Sequence, residues 1–136
     1  MLIDTHIHLN FGGCTADTFI ERVEQGLTDQ FWVSALQGGY YPTSENVQTS
    51  NDLVYELAQR LPANVVGFAY LNPVHGPTAL TELRRCIEER GFGGVKLWVA
   101  TFCDDERVDP IVEQAVEYDI PLLVHCWVKI NGNLPF

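Results

Sequence analysis

The residues with the most chemical content lie near the two ends of the chain. Asp4-Thr5-His6-Ile7-His8 sits in an apolar run, and an extended strand sends alternate side chains to one face, so Asp4, His6 and His8 are expected together. His6 and His8 would stand roughly 7 Å apart along such a strand, close enough for two imidazoles to converge on one ion beyond the strand end. Taken alone, the pair fits equally well two histidines held by ordinary hydrogen bonds. A third histidine, His125, occupies Pro121-Leu122-Leu123-Val124-His125-Cys126-Trp127 near the end of another apolar run. Three imidazoles at one rim suit zinc or a similar borderline divalent ion, which makes His6, His8 and His125 the expected metal ligands.

Other residues offer less. His75, in the turn-rich Asn72-Pro73-Val74-His75-Gly76-Pro77, is a candidate substrate contact or a solvated loop histidine. Trp98, Trp127 and Tyr70 lie near strand ends, where they would line a pocket for a ring-bearing substrate or pack in the core. Asp104-Asp105-Glu106 reads as a solvated acidic loop.

The elements that position these residues follow from periodicity. Apolar runs at residues 2–7, 31–36, 65–71, 94–100 and 120–127 are mostly continuous rather than alternating, as strands of a parallel sheet covered on both faces must be. Four helical segments lie between them. Phe19, Ile20, Val23 and Leu27 form one apolar face, with Thr18 and Glu21 at capping-box spacing. Leu53, Val54, Leu57, Ala58 and Leu61 form a second, ended by Pro62. Leu80, Leu83 and Ile87 form a third, ending before Gly91. The fourth takes Asp109 as cap and Pro110 at the first position, and buries Ile111, Val112, Ala115 and Val116.

A βαβαβαβαβ order leaves two common solutions, an open doubly wound sheet or a closed barrel. Asn10-Phe11-Gly12-Gly13-Cys14 lacks the spacing of a dinucleotide-binding turn, which favours the barrel. A (β/α)8 barrel takes about 250 residues. The expectation is therefore an α/β chain forming one domain, residues 1–136, an incomplete (β/α)8 TIM-type barrel of about five parallel strands and four helices, truncated after strand five. Its open sheet edges would invite a homo-oligomer to cover them.

Acidic residues outnumber basic ones 18 to 8, for a formal charge of −10, so neither nucleic acid nor an anionic membrane is an expected partner. No apolar stretch approaches the ~20 residues of a spanning helix and no secretory leader is visible, which points to the cytoplasm. The four cysteines, Cys14, Cys86, Cys103 and Cys126, have no CxxC spacing and are expected mostly as small buried hydrophobes rather than disulfide partners or zinc ligands.

Three stretches, MLIDTHIHLN at residues 1–10, GFGGVKLW at 91–98 and IPLLVHCW at 120–127, resemble the first, fourth and fifth strand motifs of the amidohydrolase superfamily, specifically its amidohydrolase-2, decarboxylase-like branch. The resemblance follows element order along essentially the whole chain. It implies His6, His8 and His125 as ligands and a metal-dependent hydrolase of C–N or C–O bonds, or a decarboxylase, acting on a small organic substrate. Lys96 falls where some members carry a carboxylated, metal-bridging lysine. In the branch resembled here that lysine is commonly not a ligand, so one zinc is expected, with Lys96 a metal ligand or a substrate contact. The family's strand-six histidine and strand-eight aspartate have no counterpart in the sequence, so the catalytic residue is unassigned and weak or absent activity is expected of the chain alone. TatD-type metal-dependent deoxyribonucleases share a DTHxH opening, but the acidic balance and the GFGGVKLW strand speak against them. The competing expectation is a non-catalytic partial barrel serving as a binding or self-assembling module.

Overall fold

The computed structural model describes residues 1–98 and 101–125. Strands β1 (Ile3–Leu9), β2 (Gln30–Ala35), β3 (Val65–Leu71), β4 (Gly94–Leu97) and β5 (Leu122–Val124) alternate with helices α1 (Ala16–Glu24), α2 (Ser44–Arg60), α3 (Pro77–Arg84) and α4 (Asp109–Glu117). Every adjacent pair is parallel and the sheet order is β1-β2-β3-β4-β5. Flat strands are spaced about 4.8 Å apart, which would set the first and fifth roughly 19 Å from each other. The rings of His6 on β1 and His125 just beyond β5 are only 6.5 Å apart. The sheet is curled into a half-barrel, as the sequence predicts.

Register divides the residues between the two faces of the curl. Phe31, Val33 and Ala35 of β2, Ala69 and Leu71 of β3, and Val95 and Leu97 of β4 pack outward with Phe19, Val54, Leu57, Leu83 and Ile111 from the four helices. Removing these side chains from water is the main driving force for laying the helices on the sheet. By alternation, Trp32, Ser34, Phe68, Tyr70, Gly94 and Lys96 occupy the inner face. Trp32 stacks on Phe68 with centroids 5.2 Å apart. Gly94, opposite Phe68 in the register, is required there because a Cβ would overlap the Phe68 ring.

One buried amide ties β3 to the helices. The register of β2 with β3 runs only from Phe31↔Val65 to Val33↔Gly67. Farther along β3, Asn51 of α2 accepts from Tyr70 N at 2.8 Å and donates to Tyr70 O at 3.1 Å. The same Nδ2 donates to Glu82 Oε1 at 2.8 Å, and Arg85 then holds Glu82 through two hydrogen bonds and reaches Asp52 at 2.9 Å. Buried polar groups demand such partners, and this network supplies them between α2, α3 and the π-helical turn Arg85–Glu89.

Several local expectations need correction. The first helix is opened by Thr15, whose N–H donates to Thr18 Oγ1 at 3.2 Å while Thr18 N donates to Thr15 O, not by a Thr18–Glu21 box. Leu27 lies past the end of α1 and is 55% exposed. The second helix begins at Ser44 behind a Thr43 cap, well before the Leu53 stripe. In α4, Asp109 is the first helical residue rather than the cap. Ile111 and Ala115 are buried as expected, but Val112 and Val116 are 40% and 73% exposed, because the sheet covers only one side of the apolar arc. Of the described cysteines only Cys86 is buried; Cys14 is intermediate and Cys103 exposed, and Cys126 lies outside the described residues. No described helix is long and apolar enough to cross a membrane.

Candidate metal centre

The first strand does not keep strict alternation. Its register moves from Asp4↔Phe31 to Ile7↔Val33, inserting one extra residue between Asp4 and Ile7. Bulges of this kind re-aim side chains at the rims of barrels. Asp4 pairs with Phe31 and His8 with Ser34, positions on opposite faces of β2, so Asp4 and His8 do not share a face. This corrects the expected Asp4-His6-His8 row. Asp4 Oδ1 instead accepts the His6 N–H at 3.2 Å across the bulge.

The two imidazoles still meet. His6 Nε2 and His8 Nε2 are 3.2 Å apart, with ring centroids at 4.9 Å and planes at 86°. His8 Nδ1 lies 2.8 Å from Ser34 Oγ, and Lys96 Nζ lies 3.2 Å from His6 Nε2. The neighbours come from separate elements: Ser34 from β2 and Lys96 from β4, both fully or nearly fully buried. Tyr70 of β3 is the register partner of Lys96 and is buried, so its place is the interior of the curl rather than an open pocket wall.

Electrostatics keep the imidazoles neutral. Burial first, then the Lys96 charge, then His6 and His125 bring the His8 ring down to about 4. Burial and Lys96 also lower His6, opposed by Asp4, and burial, Lys96 and His6 lower His125. A neutral ring with an available lone pair is the form that ligates metal.

The donor geometry fits an ion for the pair. Two nitrogens at about 2.05 Å from a tetrahedral zinc are about 3.3 Å apart, and their ring centroids about 5.2 Å apart. His6 and His8 match both separations, at 3.2 Å and 4.9 Å. The His125 ring is 6.5 Å from His6, a little more than 1 Å beyond that spacing. Among the described residues no three His, Cys, Asp or Glu side chains are gathered closely enough to hold an ion. Of the three expected histidines, His6 and His8 are paired and His125 stands beside them without closing a three-residue cluster.

Trp98 stands at the same rim, its ring 6.4 Å from His125 and stacked on Tyr40 at 5.6 Å. His75 is elsewhere. It ends the short turn Pro73–His75 and lines a cleft of about 180 Å³ with Val47, Gln48, Thr78 and Glu82, between α2 and α3 on the outer side of the sheet. Trp127 lies outside the described residues. Ser34 was not among the expected site residues. Its signal was a lone hydroxyl inside the apolar run at 31–36, which becomes informative only once the register sets it opposite His8.

No curated protein sequence matches the chain. Solved structures share its fold. A protein of Staphylococcus aureus described as an amidohydrolase superposes with a TM-score of 0.78 at 22% identity, over 98% of this chain and 52% of that one. The 4-oxalomesaconate hydratase of Rhodopseudomonas palustris gives 0.70 at 22% identity, over 92% and 52%. The 5-carboxyvanillate decarboxylase of Novosphingobium aromaticivorans, solved with bound manganese, gives 0.70 at 17% identity, over 92% and 50%. The chain therefore spans about half the length of these structures. Its sequence matches the amidohydrolase family model over residues 3–131, nearly end to end, and the chain belongs to that family.

Proposed function

We propose that this chain carries the metal-binding part of a divalent-metal-dependent enzyme acting on a small organic substrate in the cytoplasm. The observation that supports this most directly is the 3.2 Å approach of the His6 and His8 Nε2 atoms, a ligand-to-ligand edge built by two residues of one bulged strand. His6 and His8 would hold the ion, with His125 closing on it by about 1 Å or slightly more and Ser34 fixing the His8 ring through Nδ1. An imidazole donor set favours a single zinc; manganese, bound in the 5-carboxyvanillate decarboxylase, is the second ion to test. A divalent ion in such a site acts as a Lewis acid and lowers the pKa of water toward ~7. The chain's own residues supply the rest: Lys96 a buried cation beside His6, and Trp98 and Tyr40 a stacked aromatic wall at the rim.

The reaction class is hydrolysis of a C–N or C–O bond, or decarboxylation. Decarboxylase and hydratase folds among the solved structures weigh toward chemistry at a carboxylated substrate. The deciding experiment measures metal content after chelation and reloading with zinc or manganese, in the wild type and in a His6→Ala/His8→Ala double mutant. One ion per chain, lost in the double mutant, is the expected result. No bound metal in the wild type would end the proposal.

A second reading is favoured by the sheet order, in which the outer edges of β1 and β5 have no partner strand among the described residues. Here the chain is a non-catalytic module whose copies cover each other's edges. A concentration-dependent dimer by sedimentation, together with no metal binding, would favour it.

A further inference from the structure

We infer that Lys96 and a bound divalent ion compete for the same lone pair, so that Lys96 acts as an internal antagonist of metal binding that must release His6 before the ion can settle. This rests on the proposed role of His6 as a ligand. A neutral imidazole offers one in-plane lone pair for acceptance or ligation. In this structure the Lys96 ammonium lies 3.2 Å from His6 Nε2, while His8 Nε2 lies 3.2 Å from the same atom. A divalent ion at about 2.05 Å from His6 Nε2 would need the same lone pair that accepts from the Lys96 donor. The two cations would also be brought within a few ångströms of each other in a buried setting, where repulsion is weakly screened. Both occupants cannot hold His6 Nε2 together.

His8 has a different arrangement. Its Nδ1 faces the Ser34 hydroxyl at 2.8 Å, and a hydroxyl can donate or accept, so His8 can turn its Nε2 lone pair to an ion without losing its partner. His6 must give up Lys96. The structure therefore assigns an asymmetry to the pair: His8 is the ligand that is ready, and His6 the one that Lys96 holds back. Lys96 itself is fully buried on β4, so its amine has little room to swing away and stays near the site after release.

The test is the affinity of the whole chain for zinc and for manganese, read by competition with a chromophoric chelator, in the wild type, Lys96→Met and His6→Ala/His8→Ala. Methionine keeps much of the buried volume and removes the donor. A charge-assisted hydrogen bond lost to the ion corresponds to binding tightened by about tenfold or more in Lys96→Met. Equal or weaker binding by Lys96→Met overturns the competition. If the double histidine variant binds as well as the wild type, the ligand assignment fails instead, and the competition with it. A second measurement needs no variant: the ¹⁵N resonances of the His6 ring and the Lys96 amine are followed as zinc is added to the wild type. The Lys96 signal should move in step with His6 Nε2, and a Lys96 signal that stays fixed while His6 shifts would overturn the inference even if Lys96→Met fails to fold.

Discussion

Replacing Asn51 by leucine should be among the most damaging single changes in this chain, although Asn51 touches none of the candidate ligands. The side chain is fully buried and makes three hydrogen bonds, two to the backbone of Tyr70 and one to Glu82. Leucine keeps the branched outline with a larger volume and leaves the Tyr70 N–H and C=O without those partners. Each orphaned buried group costs about 1–3 kcal/mol. The extra apolar burial returns about 1–2 kcal/mol, and Glu82 keeps Arg85, so the net loss is about 2–4 kcal/mol. Against the roughly 5–15 kcal/mol that holds an ordinary domain together, that is a large fraction. With a urea slope of about 1.5–2 kcal/mol/M for this size, the midpoint should fall by about 1–2 M at unchanged slope. Asn51→Asp sharpens the comparison: it retains an acceptor for Tyr70 N–H but sets a second carboxylate against Glu82 and the Tyr70 carbonyl, so it should be at least as unstable at neutral pH. A leucine variant within about 1 kcal/mol of wild type would refute the assignment of Asn51 as the group that satisfies β3.

Two further predictions concern the site directly. Ser34→Ala removes the hydroxyl that orients His8 and should weaken metal binding about 10- to 100-fold with little change in the urea midpoint; unchanged affinity would show that the His8 ring needs no such partner. Acidification of the metal-free chain should destabilise it in a window set by His8. The ring sits near 4 in the folded state against 6.5 when unfolded, so stability is complete above 6.5, falls as the pH drops toward 4 because the unfolded chain takes a proton the native state resists, and the loss is complete below that. His6 and His125, also lowered, act in the same direction. For a partly solvated ring the His8 share is about 1–2 kcal/mol after screening; urea midpoints between pH 7.5 and 4.5 should show a slope that His8→Ala flattens, and an equal slope in that variant would contradict the assignment.

The parts of the fold legible in the sequence were those governed by one dominant effect. A run such as VVGFAYL, buried along nearly its whole length, has few ways to hide its side chains other than as a central strand, and its bounds agree with the expectation residue for residue. The α2 stripe was equally clear where Val54 and Leu57 face the core. Helix ends were less legible because they depend on short-range competition. Thr15 and Thr18 both suit a helix start, and the choice falls to Thr15 because the preceding turn, with Gly12 and Gly13 at positive φ and Asn10 N donating to Cys14 O, delivers the chain there. The apolar arc of α4 misled in another way. Periodicity shows which residues are apolar, not how wide a face the neighbouring layer covers, and Val116 lies outside that face.

The candidate site depends on a feature that strand periodicity cannot express. Strict alternation would place Asp4, His6 and His8 in one row, the histidines roughly 7 Å apart, with their convergence left to side-chain torsions. In the structure an extra residue between Asp4 and Ile7 breaks the row. Asp4 is pulled out of line with His8 and spends an oxygen on the His6 backbone. The bulge falls between Asp4 and Ile7, the stretch that holds His6, and regular pairing resumes at Ile7, so His8 still meets Ser34. The two histidines therefore reach a 3.2 Å nitrogen separation by different means, one from a regular pair and one from an irregularity. A sequence in which Asp4 could not hold that bulge would keep the HxH spacing and lose the geometry. Asp4→Leu should therefore weaken metal binding while leaving His6, His8 and the outward core unchanged in composition, whereas Asp4→Asn, which still offers an oxygen to the His6 N–H, should retain it.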